Sequence, residues 1–196
     1  PSQTGPPAGV RRANPIFPDV TLYGGEIITC GEFNFQIIWT PGHSPGHVCL
    51  YEPDYNVLIS GDHILPIITP SIQIFPMSSA NYNPLGDFIN SLKKIKQLEI
   101  KIVLPAHQHV FTNFKERIDE IIRHHETRNS EILSTLNSGE KTAYQVSQKI
   151  TWIPEQGGIE FHDLSLWNRR MALAETLAHL EAIMVEGKVE KIYRDS

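Results

Sequence analysis

Thr40-Pro41-Gly42-His43-Ser44-Pro45-Gly46-His47, Ser60-Gly61-Asp62-His63 and Leu104-Pro105-Ala106-His107-Gln108-His109 are the three stretches on which the fold of this chain turns. Each follows a short apolar run: Phe35-Gln36-Ile37-Ile38-Trp39, Val57 to Ser60, and Ile102-Val103-Leu104. Such runs read as strands, so the histidines and the aspartate occupy loops at strand C-terminal ends. Strand ends lying side by side in one sheet can aim loop residues from distant positions at a single point. Imidazole and carboxylate are both suitable zinc ligands. Proline and glycine around His43 stiffen one part of its loop and free another, which suits a ring held without a bulky neighbour. A lone histidine after a strand is ordinarily a surface or hydrogen-bonded residue. Three clusters on consecutive strand ends leave a shared metal site and that plainer role as equal alternatives.

Outward from these stretches, His47 to Glu52 (HVCLYE) reads as a further strand. Asn83-Pro84 has the form of a cap followed by a first-turn proline, and Leu85, Phe88, Leu92 and Ile95 fall at helical spacing behind it. Strand, loop, helix and strand in this order indicate an α/β or α+β layered core. Composition shifts near Phe114. Ile118, Ile122, Ile132 and Leu136 mark a long helix closed by Asn137-Ser138-Gly139, and Thr142 caps a short one. A third runs from about Leu166 to Glu186 with Leu173, Leu177, Leu180 and Met184 in its stripe, and Lys188 to Tyr193 alternates like a strand. The expected organisation is a first unit over residues 1–113 and a helical unit over 114–196, joined through the helix bearing Ile118 and Ile122.

The 196 residues, 40% of them hydrophobic, suffice for a real core, and the net charge of −5 is spread rather than clustered. No apolar stretch is long enough to cross a bilayer, and the N-terminal stretch has no apolar signal core. Two cysteines, Cys30 and Cys49, are too few for a disulfide framework, and Cys49 is expected as a buried thiol. A cytoplasmic location is the default. The Pro- and Gly-rich opening from Pro1 reads as a loop, as if the chain were entered partway.

The strings TPGHSPGH, SGDH and LPAHQH, in this order and spacing, resemble the second half of the metallo-β-lactamase superfamily. GDHILPIITPSI and NPLGDFINSLKKIKQLEIKIVLPAH are similar to its glyoxalase-II-like and endoribonuclease-like branch, whose members carry a C-terminal winged-helix domain. The resemblance implies an α+β fold, the second half of an αββα sandwich followed by a winged-helix-like helical domain. It implies that His43 binds a first metal, that Asp62 bridges two, and that His107 binds the second. The metals would be zinc, with manganese or iron as alternatives, and a metal-bound hydroxide would attack an ester, thioester, lactone or phosphodiester. His47, His63 and His109 match motif positions that are not ligands in the family. Their expected role is hydrogen bonding around the ligands or loop structure.

The superfamily's other ligands come from an upstream His-x-His-x-Asp-His motif, which none of the nine histidines here forms. By that logic His43 and Asp62 remain for the first metal and Asp62 and His107 for the second. That is fewer than the three protein ligands of a catalytic zinc. This polypeptide alone is therefore expected to be inactive, with a homo-oligomer or another chain supplying the missing half. Two functions of different classes follow. One is a metallohydrolase acting on a small ester, thioester or lactone, or on RNA. The other is a non-catalytic module of half-domain plus winged helix that binds a partner or nucleic acid. From Phe114 onward there are 11 Lys and Arg against 14 Asp and Glu, which argues against a strongly nucleic-acid-binding face. The doublet His124-His125 resembles a metal motif only superficially, since His125 shares the apolar stripe of its helix and is expected as a core histidine.

Overall fold

The computed structural model describes residues 17–74, 82–152 and 157–193. The N-terminal loop expected around Pro1 lies outside them. Five strands form one sheet in the order β1-β2-β3-β4-β5: Ile27–Cys30, Phe33–Trp39, Val48–Glu52, Val57–Gly61 and Ile102–Pro105. The first four meander antiparallel, and β4 pairs parallel with β5. A parallel neighbour needs a crossover. Helix α1 (Pro84–Ile95) supplies it, with the Asn83 side chain accepting the Gly86 N–H at 2.9 Å and Pro84 in the first turn.

Strand alternation sorts the sheet into two faces. Ile38, Cys49, Tyr51, Leu58 and Val103 point into a core with Leu85, Phe88, Leu92 and Ile95 of α1. Phe114, Ile118 and Ile121 of α2 (Phe114–Leu136) join them, as do Ala178 and Ala182 of α4 (Leu166–Val185). Across the opposite face, Ile37, Leu50, Ile59 and Leu104 stand in register as one apolar row. Trp39 at 49% and Ile28 at 40% exposure flank that row on its open side.

The chain from α2 onward is helical, as its periodicity predicts, and Ile118 and Ile122 pack on the sheet-side core. Further along α2, Ile132 belongs to a second cluster with Val146, Trp152, Phe161, Ala172 and Ile183. Helix α3 (Ala143–Ser147) starts at the expected Thr142, whose hydroxyl and the Gln145 side chain cap each other's backbone.

Two expectations fail here. Residues 188–193 form no strand, and Val189 instead packs against the second cluster. The pairing seen in this region is a single antiparallel bridge, Trp152 to Ile159. The inward face of α4 is also different: Ala172, Thr176, Ala178, His179, Ala182 and Ile183 are buried, while Leu177 is 41% exposed. Packed against α1, α2 and α3 together, α4 turns these alanines and Thr176 inward with His179 and Ile183, while Leu180 packs at the margin of the second cluster.

Candidate metal centre

The antiparallel β2-β3-β4 meander makes β2 and β4 run the same way, and β5 is parallel to β4. The C-terminal ends of β2, β4 and β5 and the start of β3 therefore share one edge of the sheet. His43 lies in the loop after β2, His47 just before β3, Asp62 directly after β4, and His107 directly after β5. The Ala106 N–H donates to the Gly61 carbonyl at 3.0 Å and ties the last two loops together.

The structure brings His43, Asp62 and His107 together. His43 Nε2 is 3.8 Å from Asp62 Oδ2, and His107 Nε2 is 3.2 Å from Asp62 Oδ1. Oδ1 is buried and yet accepts no hydrogen bond, so the His107 contact is one of proximity rather than of bonding. His43 Nδ1 lies 2.9 Å from the Ser71 carbonyl, an acceptor, so this nitrogen carries the proton. That leaves the Nε2 lone pair directed at the carboxylate.

The neighbouring histidines take different places. His47 Nδ1 is 2.7 Å from the Thr40 hydroxyl. Burial pushes its pKa down, the nearby His43 adds to this, and Asp62 opposes it. His63 is fully buried, its ring 4.9 Å from that of Phe88 and neither nitrogen hydrogen-bonded. Burial first, then His47 and His43, push it down to about 3, so it is a neutral packing group. His109 is exposed and makes no hydrogen bond or ion pair with the cluster among the described residues. Cys49 is buried and free as expected, and burial pushes its thiol up to about 12.

Two glycines shape the edge. Gly42 has φ 137°, and a Cβ there would lie 2.4 Å from Phe88 Cβ. Gly61 has φ 54°, and its Cβ would lie 2.6 Å from His47 Nε2. Both permit close approaches that no side chain allows. The close approach at Gly61, the Thr40–His47 bond and the Ser71 carbonyl are site elements that sequence reasoning misses. Only the glycines, beside the histidines in the motifs, leave a signal there.

The donors suit a divalent cation as a partial set: one carboxylate with an orphaned buried oxygen, flanked by two imidazole nitrogens. Both rings are directed at Asp62 rather than at a common point. Among the described residues no three His, Cys, Asp or Glu side chains are arranged to hold an ion as they stand.

Residues 2–107 match the family described as the metallo-β-lactamase superfamily. The chain belongs to the metallo-β-lactamase superfamily. Members are generally hydrolytic and typically bind divalent metals. Among relatives, the lactamase-like protein nscB of Arthroderma gypseum is 30% identical over 65% of this chain and 37% of its own length. The beta-lactamase-like protein 2 homolog of Caenorhabditis elegans is 31% identical over 65% and 40%. The superfamily protein TTHA1429 of Thermus thermophilus superposes with a TM-score of 0.73 at 31% identity, over 88% of this chain and 51% of that one. A Burkholderia ambifaria beta-lactamase domain protein gives 0.73 at 26% identity, over 85% and 47%. The chain thus spans about half the length of these superfamily structures and less of the curated relatives. No helix among the described residues is long and apolar enough to cross a membrane.

Proposed function

We propose that this chain is the C-terminal, metal-ligating part of a metal-dependent hydrolase acting on a thioester, ester, lactone or phosphodiester. The observation that carries this is the Asp62 carboxylate set between two imidazoles, its buried, unbonded Oδ1 near His107 Nε2 and its Oδ2 near His43 Nε2. An anionic oxygen held away from water without a partner is costly, and a cation is what repays it. In this reading His43, Asp62 and His107 would be the ligands, and zinc the metal they hold. Bound there, divalent metal supplies Lewis acidity toward the scissile group and acidifies water. The protein's own part is to hold the carboxylate between the rings, to fix the His43 tautomer through Ser71, and to wall the site with neutral His63.

The remaining ligands come from a segment outside these 196 residues, carried by the same polypeptide or by another chain. The sheet face with part-exposed Leu50, Ile59 and Leu104 and exposed Trp39 and Ile28 is the surface such a segment covers, because apolar faces left open to water rarely persist. Alone, the chain is inactive. The helical part from Phe114 onward packs on the hydrolase core through Ile118, Ile121, Ala178 and Ala182, and the unpaired cysteines fit a cytoplasmic setting.

Metal analysis and substrate assays test this. The completed protein is expected to hydrolyse a thioester, lactone or RNA substrate, and Asp62→Asn to abolish both metal and activity. Two tightly held zinc ions on the isolated chain would overturn the half-site. A completed protein that neither binds metal nor hydrolyses any of these substrates would leave the interaction module instead.

A further inference from the structure

Arg117, on α2, is a charged side chain only 7% exposed, in a part of the fold that the metal motifs do not touch. Its guanidinium donates from Nε to the Leu65 carbonyl at 2.8 Å, and from Nη2 to the carbonyls of Ile67 at 2.8 Å and Ile68 at 3.1 Å. Nη1 donates to Glu120 at 2.9 Å, which balances the charge. Three of these four bonds go to the backbone of the loop that follows Asp62. From its other side the same loop is held by Gln108, whose Oε1 accepts the Ile67 N–H at 3.1 Å. Gln108 follows His107 directly and sits at φ 73°, unusual for a residue with a side chain.

A loop tip that exposes Ile67 at 55% and Ile68 at 48% has little burial to hold it in place. A buried arginine fork that binds three carbonyls of one loop is a rigid anchor, and breaking such a buried arrangement leaves an uncompensated charge. We propose that Arg117 and Gln108 form a clamp that sets the Asp62 loop against the His107 loop, which makes both of them positioning residues of the metal centre. The inference rests on the metal-ligand role assigned above to Asp62 and His107. It adds that the helical part of the chain, through α2, controls the spacing of those ligands.

The test uses the whole 196-residue chain and two variants. Arg117→Lys keeps charge and loses the fork, and Gln108→Asn keeps tolerance for positive φ while shortening the reach. Cobalt(II) titration, read by its visible absorption, gives affinity and ligand geometry. Amide hydrogen exchange gives a metal-free readout at Ile67 and Ala106. Affinity about 10-fold weaker with an altered cobalt spectrum is expected in either variant. Protection should be lost at Ile67 and Ala106 but kept at Ile121 in the middle of α2. Unchanged exchange at Ile67 and Ala106 in a folded variant overturns the clamp, as does loss spread equally through α2. Unchanged cobalt affinity in the variants also overturns it. If Arg117→Lys does not fold, Gln108→Asn decides by the same readouts. A wild-type chain too short of ligands to hold cobalt by itself leaves the decision to the exchange result, which supports or overturns the clamp without metal.

Discussion

Histidines gather at two places in this fold, on either side of one phenylalanine. Phe88 meets His63 on the metal-edge side at 4.9 Å and His125 on the helical side at 5.7 Å. On the first side, His43 is half-buried and His107 exposed, and both face Asp62. On the second, His125 Nδ1 lies 3.3 Å from His179 Nε2, and His179 Nδ1 lies 2.6 Å from the Asn129 side-chain oxygen. Both of these rings are buried, between α2 and α4, with Arg128 and His124 as the charged or titratable groups nearby. The contrast shows what separates a ligand from a packing group. A carboxylate within reach and an opening to solvent favour a cation, whereas burial beside an arginine forbids one.

The largest effect should separate the two groups cleanly. Asp62→Ala should weaken metal binding by more than about 100-fold, beyond the range usual for residues that only support a ligand. His179→Ala should leave metal affinity alone and cost roughly 2–4 kcal/mol of stability through the cavity it opens. Metal titration and denaturant unfolding on both variants check the pair. Similar metal losses in each would erase the distinction.

Acid should probe the buried pair next. Burial, then Arg128 and His124, hold His179 down at about 3 against an ordinary value of 6.5, and burial also holds His125 well below. Both rings are therefore neutral when folded, and the unfolded chain binds more protons below pH 6.5. Their contribution is complete above that value and is lost as pH falls from there toward 3. At pH 5 His179 alone should cost about 2 kcal/mol relative to pH 7. Melting temperature followed from pH 7 to 4 should fall steeply, and His179→Gln should flatten that slope.

Smaller changes sharpen the same contrast. Gly61→Ala forces positive φ on a side chain that would meet His47, for about 1–2 kcal/mol and a broken His47–Thr40 bond, visible in the imidazole NMR signals. Leu177→Gln, on the open side of α4, should stay within about 0.5 kcal/mol of wild type in thermal unfolding.

Local chemistry made much of this legible in the residue order. The apolar runs before Thr40, Gly61 and Pro105 are strands, Asn83-Pro84 opens α1, and Thr142 opens α3. Each depends on neighbours a few residues away, which periodicity and capping chemistry register directly. The strand expected at 188–193 did not hold, and in the leucine stripe of α4 Leu177 lies exposed while Leu180 packs. A period-2 pattern needs a partner to become a strand, and the inward face of a helix is chosen by what packs on it.

The sequence by itself determined which loops carry histidine and aspartate, that these follow strands, and that the His-x-His-x-Asp-His motif is not among these residues. Tertiary structure alone decided that those loops meet. The parallel pairing of β4 with β5 brings Asp62 to His107, and the antiparallel meander brings His43 to the same edge. It also decided that a carbonyl at Ser71 orients His43 and that Arg117, fifty-odd positions from the loop it grips, holds the tip beyond Asp62. These are bonds to backbone atoms, which every residue carries alike, so only the path of the chain can say which of them is used.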